Sequence, residues 1–299
     1  MYRCSSCNVA YLDPRPDHKS IGLAYKTYYT HQVGDKNNSQ FQNLKLAMMN
    51  GYRNMKFDVE LIPSSKLGIL YFLFPNRKKD LDSEMRGLQK FNGNKKANIL
   101  DVGCGSGVFL AIAKMMGWHT FGVEPDPIAA NTARDMNVEI LGSFLHEIPE
   151  EYNGYFDVIT LKHVIEHVHD PLDMIKKCHQ LLRRGGRLWI ETPNINSQGY
   201  KRYGKFWRGL EAPRHLMIFN WISLKGLLKK AGFTEIRREV SRPMCKWMFK
   251  QSLAKNGTFN SDESSLIGTM KFRLIVFWSN LLARIDPSIH ELICINAKK

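Results

Sequence analysis

From Ala97 onward the chain alternates between two periodicities. Short apolar runs (ANILDV, HTFGVE, VEIL, FDVITL and RLWIET) have the length and β-branched content of buried strands. Between them lie amphipathic stretches over 108–116, 127–136 and 171–183 that read as helices. Strands that are apolar throughout belong to a sheet covered on both faces, and their alternation with helices predicts a parallel, doubly wound α/β sheet. Residues 193–220 are expected to form a long loop. A helix follows over 221–231, with Asn220 as its N-cap and Gly232 as its stop. A strand over 235–240, two helical segments near 244–254 and 266–285, and a last strand ELICINA complete the pattern. Before Ala97, residues 41–90 are helical and basic, broken by the apolar run Leu67–Phe74 and the stop signal PNRKK. The expected organisation is therefore an N-terminal segment 1–40, a helical segment 41–96, and a domain 97–299 carrying a helical insertion at about 243–288.

Composition narrows this picture only a little. A chain of 299 residues has room for one large domain and a smaller appendage, and 43% hydrophobic with 24% charged residues is ordinary for a globular protein. The formal charge of +15 favours anionic partners: phosphorylated or nucleotide-linked substrates, nucleic acid, or an acidic membrane surface. No long Lys/Arg tract or RNA-binding module is visible, which disfavours nucleic acid. The six cysteines form no dense disulfide framework, and the N-terminus has no apolar signal core. A cytoplasmic protein is expected, since no window holds the roughly 18 apolar residues that a spanning helix needs.

The chemistry concentrates where the first strand gives way to a helix, in ILDVGCGSG. Gly103, Gly105 and Gly107 allow a sharp turn and close approach to a ligand. Such a turn can cradle a pyrophosphate, but the spacing is Gly-x-Gly-x-Gly, and Asp101 sits where it would repel phosphate and attract an ammonium group. Glu124 closes the second strand, where a carboxylate can accept both ribose hydroxyls. Adenosine joined to an amino acid fits these charges better than a dinucleotide.

On these residues the chain resembles the class I S-adenosylmethionine-dependent methyltransferases, in the branch acting on small molecules, sugars and ubiquinone precursors. DVGCGSGVF with VEPD is similar to their first two motifs, FDVITLKHVIEHVHDP to their fourth-strand motif, and GGRLWIETPN with PRHLMIFNWISLKGLLKKAGF to the fifth strand and following helix. The resemblance covers about residues 97–240. It implies a Rossmann-like, seven-stranded, mostly parallel sheet with helices on both faces, and S-adenosylmethionine as cofactor. Asp101, Gly103, Cys104, Gly105 and Gly107 would hold the methionine moiety and Glu124 the ribose. Pro125, Asp126 and Phe144 would lie by the adenine, and the backbone of Lys162 and His163 would touch the methionine end.

His163, Glu166 and His167 are spaced i, i+3, i+4, so a helical turn here would put them on one face. The string also matches a zinc-hydrolase signature, but it follows a strand and ends at Asp170-Pro171. Three roles stay open. The relatives carry a similar Glu-x-x-Glu-His that can ligate a metal. Here, with His215 from the loop, three imidazoles and one carboxylate would suit Zn²⁺ or Fe²⁺ better than Mg²⁺. Alternatively His163 or His215 acts as general base, or Glu166 and His167 pack beneath the cofactor.

The long loop mixes Tyr200, Tyr203, Phe206 and Trp207 with Lys201, Arg202, Lys205, Arg208 and Arg214. That suits a phosphorylated sugar or aromatic ring, or equally a solvated lid with anchoring aromatics. Cys4 and Cys7, followed by Asp13-Pro14-Arg15-Pro16, resemble half of a zinc ribbon found ahead of methyltransferases in sugar pathways. Either the ribbon has decayed or the true start lies upstream. In the insertion, Ile267, Met270, Leu274, Phe277, Trp278, Leu281 and Ile285 recur at helical spacing with Lys271, Arg273 and Arg284 among them. That stripe reads as a packing or dimer face, or as an interfacial helix on acidic lipid, with Leu67–Phe74 and PNRKK as a second peripheral membrane contact. The functional expectation is a methyltransferase acting on a small or lipid-linked, anionic metabolite, with a saccharide hydroxyl as acceptor. The alternatives are an RNA methyltransferase and a catalytically silent cofactor-binding protein.

Overall fold

The computed structural model describes residues 1–25, 40–90, 97–239, 241, 242, 244–255 and 266–299. The expected polar stretch over 26–39, the boundary at 91–96 and the middle of the insertion at 256–265 lie outside the described residues, as does the side chain of Ile267. In chain order the elements are β1 (Tyr2–Arg3), β2 (Ala10–Tyr11), α1 (Gln40–Phe57), α2 (Pro75–Glu84), β3 (Asn98–Val102), α3 (Val108–Met115), β4 (His119–Val123), α4 (Pro127–Asp135) and β5 (Glu139–Gly142). There follow β6 (Phe156–Lys162), α5 (Pro171–Leu181), β7 (Leu182–Pro193), α6 (Gln198–Tyr203), β8 (Met217–Ile218), α7 (Trp221–Lys230), β9 (Thr234–Arg238), α8 (Cys245–Lys255), α9 (Leu266–Ile285) and β10 (Leu292–Lys298).

Seven strands form one sheet in the order β5-β4-β3-β6-β7-β10-β9. β3 runs parallel to β4 and β6, and β4 parallel to β5, while β10 is antiparallel to β9. This is the mostly parallel, Rossmann-like sheet expected, with the helical insertion of α8 and α9 ahead of the last strand. By packing, the chain divides into two compact units.

One unit holds α1, α2 and β3 through Leu161, with Lys177–Trp189. Its core gathers Ile99, Leu110, Ile112, Ala113, Met116 and Val158, joined by Met85 and Leu88 from the chain after α2. The sequence signals for its helices are met locally. Asp126 Oδ1 accepts hydrogen bonds from the backbone N–H groups of Ile128 and Ala129, and Pro127 occupies the first turn of α4, where a missing N–H costs nothing.

The other unit holds the N-terminal strands, Lys162–Lys176 and Ile190–Lys298. Its core includes Ile195, Trp207, Ile218, Cys245, Met248, Phe249 and Val276. Asn220 and Ser223 form the reciprocal cap expected at the start of α7. Two features were not expected. Residues 193–220 are not a plain loop but contain α6, two 3₁₀ turns and β8. β8 in turn completes a three-stranded antiparallel sheet with β1 and β2. On α9 the repeating stripe is not the packed face: Phe272, Ile275 and Val276 join the core, whereas Met270, Leu274, Phe277 and Trp278 are exposed. Among the described residues no helix is long and apolar enough to cross a membrane.

Candidate functional site

Within the first unit the chain leaves β3 and turns through Gly103, Gly105 and Gly107, all with positive φ (69°, 57° and 79°), into α3. A Cβ on Gly107 would lie 2.8 Å from the Ala133 Cβ, so both the dihedral and the close approach of α4 require glycine there. The N–H groups of Gly103 and Cys104 both donate to the Val123 carbonyl at the tip of β4 (2.8 and 3.2 Å). Glu124 comes next. Its Oε2 accepts from the Gly105 N–H at 2.7 Å and its Oε1 from the Asp126 N–H at 3.0 Å. Burial pushes the Glu124 carboxyl up in pKa, against those two hydrogen bonds. Cys104 is buried, and desolvation, with the charges of Asp101 and Glu124 behind it, pushes its thiol up, so it is an unreactive neutral wall. Pro125 is exposed, and Phe144 is about half exposed with its ring stacked on His146 at 5.7 Å.

Asp101 is fully buried. Its Oδ1 pairs with the Arg86 guanidinium and accepts from the Thr160 hydroxyl at 2.7 Å, while Arg86 also donates to the Thr160 oxygen at 3.0 Å. Arg86 itself is held in a left-handed conformation (φ 50°) with its guanidinium 3.9 Å from the Phe109 ring centre. The negative charge that the sequence offers to a ligand's ammonium group thus already has a cation of the protein against it. Nothing in the basic segment before Ala97 singles out Arg86. The acid and its strand-borne threonine only acquire their partner through the fold.

The second unit gathers the histidines. His163 follows β6 directly and adopts φ 55°, a left-handed conformation uncommon outside glycine. Its N–H donates to the Glu191 carbonyl at 2.8 Å. Its Nδ1 lies 3.2 Å from Glu166 Oε1 and its Nε2 lies 3.6 Å from Glu191 Oε1. Glu166 is fully buried, and the Thr192 hydroxyl donates to its other oxygen at 2.9 Å. Burial raises the Glu166 pKa, but the His163 hydrogen bond and the neighbouring imidazoles outweigh it and bring the carboxyl to about 2. Burial likewise drives His215 down to about 4, so it is neutral at physiological pH and lends Glu166 no positive charge there. The His163 hydrogen bond is the largest of the influences that lower the Glu166 pKa.

The expected helical face is not formed. Only Ile165–His167 make a turn, of the 3₁₀ type, and His163 stands before it in a different conformation. Glu166, His167 and His215 nevertheless bring one ligand atom each within 4.8 Å of one another, without His163, and no other such group of three occurs among the described residues. His215 Nδ1 donates to the Gly209 carbonyl (2.7 Å) and His167 Nδ1 to that of Arg214 (3.1 Å), which leaves Nε2 of each ring with its lone pair. Carbonyl-anchored imidazoles with one carboxylate are a donor set that fits a cation such as Zn²⁺. Cys4 and Cys7 do not reach this standard. They sit in a tight turn (Cys4 N–H to Val9 carbonyl 2.9 Å, Asn8 φ 57°), and backbone N–H groups of Cys7 and Ser6 lower the Cys4 pKa. Two thiols supply half of a tetrahedral site, and the described residues supply no second half.

Of the loop aromatics, Trp207 belongs to the core with Tyr200 and Tyr203 packed half-buried against it, whereas Phe206 lies half-buried beneath Lys205. Trp207 is fully buried, its Nε1 donating to Glu291 Oε2 at 2.9 Å, with Tyr200 against its ring, and Tyr203 packs on Phe249. Lys201 and Lys205 remain exposed. Sequence reasoning missed Glu191, Glu211 and Glu291. Glu191 had a signal, a lone acid inside the apolar strand LWIETP. Glu211 pairs with Arg208 and Arg214 and lies 3.8 Å from His215 Nε2, a set of partners that only the folded loop assembles.

Comparison with known proteins adds the following. A family model described as a methyltransferase domain matches residues 76–237. A ubiquinone biosynthesis O-methyltransferase of Acinetobacter baylyi is 30% identical over 140 residues, covering 40% of this chain and 59% of the relative. That of Pseudomonas aeruginosa is 28% identical over 138 residues, covering 40% and 60%. The chain thus spans about three-fifths of the length of these curated relatives. A crystal structure of a methyltransferase from Thermotoga maritima, described as a possible histamine N-methyltransferase, aligns with a TM-score of 0.47 at 19% identity, covering 78% of this chain and 95% of that one.

Proposed function

From the premise that the chain belongs to the methyltransferase-domain family, we propose that it transfers the methyl group of S-adenosylmethionine to a hydroxyl on a small metabolite. The observation that carries the reading is the glycine turn with Glu124 at its rim. Each Glu124 oxygen takes one backbone N–H and keeps a second lone pair, the arrangement needed to receive the two ribose hydroxyls of an adenosine compound. Gly103, Cys104, Gly105 and Gly107 would supply backbone contacts to the methionine portion. Pro125, Asp126 and Phe144 would flank the adenine. Asp101 acts in this reading through Arg86 and Thr160, fixing the base of the turn.

His163 is the proposed general base. Methyl transfer is an in-line displacement at carbon, so the acceptor oxygen must lose its proton as the new bond forms. An imidazole can take that proton at neutral pH, and Glu166, ionised at 3.2 Å, would stabilise the imidazolium that results. Nδ1, facing Glu166, would carry the resting proton and Nε2 would take the acceptor's, with Glu191 Oε1, 3.6 Å from Nε2 and beyond hydrogen-bond reach, adding negative charge that favours the imidazolium. A second reading of the same neighbourhood rests on the Glu166, His167 and His215 donor set. Those three residues would hold a divalent cation, and its chemistry when bound would be to lower the pKa of a coordinated acceptor oxygen.

An oxygen acceptor is supported by the relatives' printed activity. Of the loop aromatics that the saccharide expectation drew on, Trp207 is buried and offers no stacking face, whereas Tyr200, Tyr203 and Phe206 are half-buried. The test is calorimetry with S-adenosylhomocysteine, followed by label transfer from methyl-labelled cofactor to a panel of phenolic and sugar hydroxyls. His163→Ala should retain S-adenosylhomocysteine binding and lose turnover. Unchanged turnover removes His163 as base, and absence of cofactor binding by the native chain removes the reading as a whole.

A further inference from the structure

The segment between α1 and α2 reverses the usual rule of burial. Its 3₁₀ helix, Lys66–Leu73, presents Leu67, Ile69, Leu70, Phe72 and Leu73 to solvent, with Phe74 next to them; Leu73 is 73% exposed. Its one buried residue is Gly68. The cause is steric. A Cβ on Gly68 would lie 2.3 Å from the Tyr52 nitrogen and 2.5 Å from the Met48 carbonyl oxygen, and one on Gly51 would lie 1.9 Å from the Ser65 carbonyl oxygen. Two glycines thus let this helix lie backbone to backbone on α1, and that contact leaves the large side chains facing outward. The presentation is held firmly. The Ser65 N–H donates to the Ala47 carbonyl at 2.9 Å, Asn50 Nδ2 to the Pro63 carbonyl at 2.9 Å, and Asn54 both donates to and accepts from the backbone of Leu61.

Within residues 62–79 every charged side chain is cationic, with Glu60 and the partly exposed Asp80 standing just outside at either end. Lys66 precedes it, and Arg77 and Lys79 in the first turns of α2 are exposed. Lys78 lies 5.7 Å from the centre of the Phe72 ring. Two acids of α2 are turned to α1 instead: Asp82 takes Tyr52 and Lys56, and Glu84 pairs with Arg53. A contiguous patch of six large exposed apolar side chains with a cationic rim is what an interfacial membrane anchor offers: hydrocarbon for the acyl boundary and cations for anionic headgroups. A second copy of the chain is a poorer occupant, because a self-complementary contact would set the same cations against each other.

We propose that residues 62–79 dock this protein on bilayer surfaces that contain anionic lipid, with Leu73 and Phe74 at the leading edge. The proposal goes beyond the assigned chemistry and does not depend on it. Docking would bring a methyltransferase to acceptors dissolved in, or attached to, the membrane.

The experiment is co-sedimentation of the full chain with phosphatidylcholine vesicles, with and without phosphatidylglycerol. Binding is expected only with the anionic lipid and should weaken as salt rises. The double variant Leu73→Ser/Phe74→Ser alters exposed side chains, so the fold should hold, which an unchanged melting curve and unchanged S-adenosylhomocysteine affinity would confirm. Its partition onto anionic vesicles should fall at least about tenfold. Arg77→Glu/Lys79→Glu should lose the lipid-charge dependence as well. Equal partition of the Leu73/Phe74 variant and the native chain overturns the proposal, as does indifference of the native chain to anionic vesicles. A concentration-dependent dimer in sedimentation velocity that the serine variant abolishes would also overturn it, in favour of a second copy on this ridge. If cofactor binding fails while vesicle binding holds, the catalytic reading falls and this one stands.

Discussion

Replacing Glu124 by alanine isolates the interaction on which cofactor recognition rests. The carboxylate bridges the Gly105 and Asp126 N–H groups, and two ribose hydroxyls would add one hydrogen bond to each oxygen. Hydrogen bonds to a charged acceptor contribute about 1.5–3 kcal/mol each, so at the low end the pair contributes about 3 kcal/mol, roughly a hundredfold in Kd. The N–H groups left behind cost little, because Gly105 and Asp126 are only partly buried and water can reach them. Glu124→Gln keeps one carbonyl acceptor, loses the charge, and should fall between the two. The assay is isothermal titration with S-adenosylhomocysteine, paired with a ligand-free melting curve to show that the variant is folded. An alanine variant that is folded and binds within about threefold of native would refute the assignment of Glu124 to the ribose.

Three further outcomes follow from the geometry. Asp101→Ala should destabilise the fold by about 3–5 kcal/mol, because it strands the buried Arg86 guanidinium; chemical denaturation reads this, and an unchanged midpoint would mean that the pair is not formed. Gly107→Ala must accept both φ 79° and a Cβ against Ala133, at a cost of about 1–3 kcal/mol visible as a Tm several degrees lower; a Tm equal to native would show that the turn relaxes freely. Glu291 is a carboxyl raised by burial to about 7 from 4.5, although Trp207 and Gly199 donate to it. Its folded state holds the proton more tightly, so the stability it adds is complete below pH 4.5 and lost as pH rises through 7. The loss is about 3 kcal/mol, and Glu291→Gln should flatten that part of the stability profile.

The parallel sheet was legible because its strands are apolar on both faces and its helices carry local signals, as Asp126-Pro127 and Asn220 show. The glycine turn and Glu124 were legible for a related reason: backbone conformation and a strand-end acid leave traces within twenty-odd residues of chain. Arg86 was not, since its pairing with Asp101 joins positions 15 residues apart through a fold that no local pattern encodes. The His163 cluster was half legible. Residue types gave Glu166, His167 and His215, but helical spacing misplaced His163, which leaves β6 in a left-handed conformation. The loop aromatics leave two readings open because burial cannot be read from a sequence in which aromatic and cationic residues alternate. Trp207 takes the anchoring one, as a core residue donating to Glu291.

The short ladder of β1, β2 and β8 has a practical consequence for anyone shortening this chain. β2 covers the open edge of β8, and Asn220, which caps α7, also reaches back to the Cys7 carbonyl at 3.0 Å. Trimming the first dozen residues would therefore strip backbone partners from the segment that carries His215 and leave a bare strand edge, a surface that invites pairing between molecules. The first dozen residues thus act as a buckle fastened onto the stretch that follows His215.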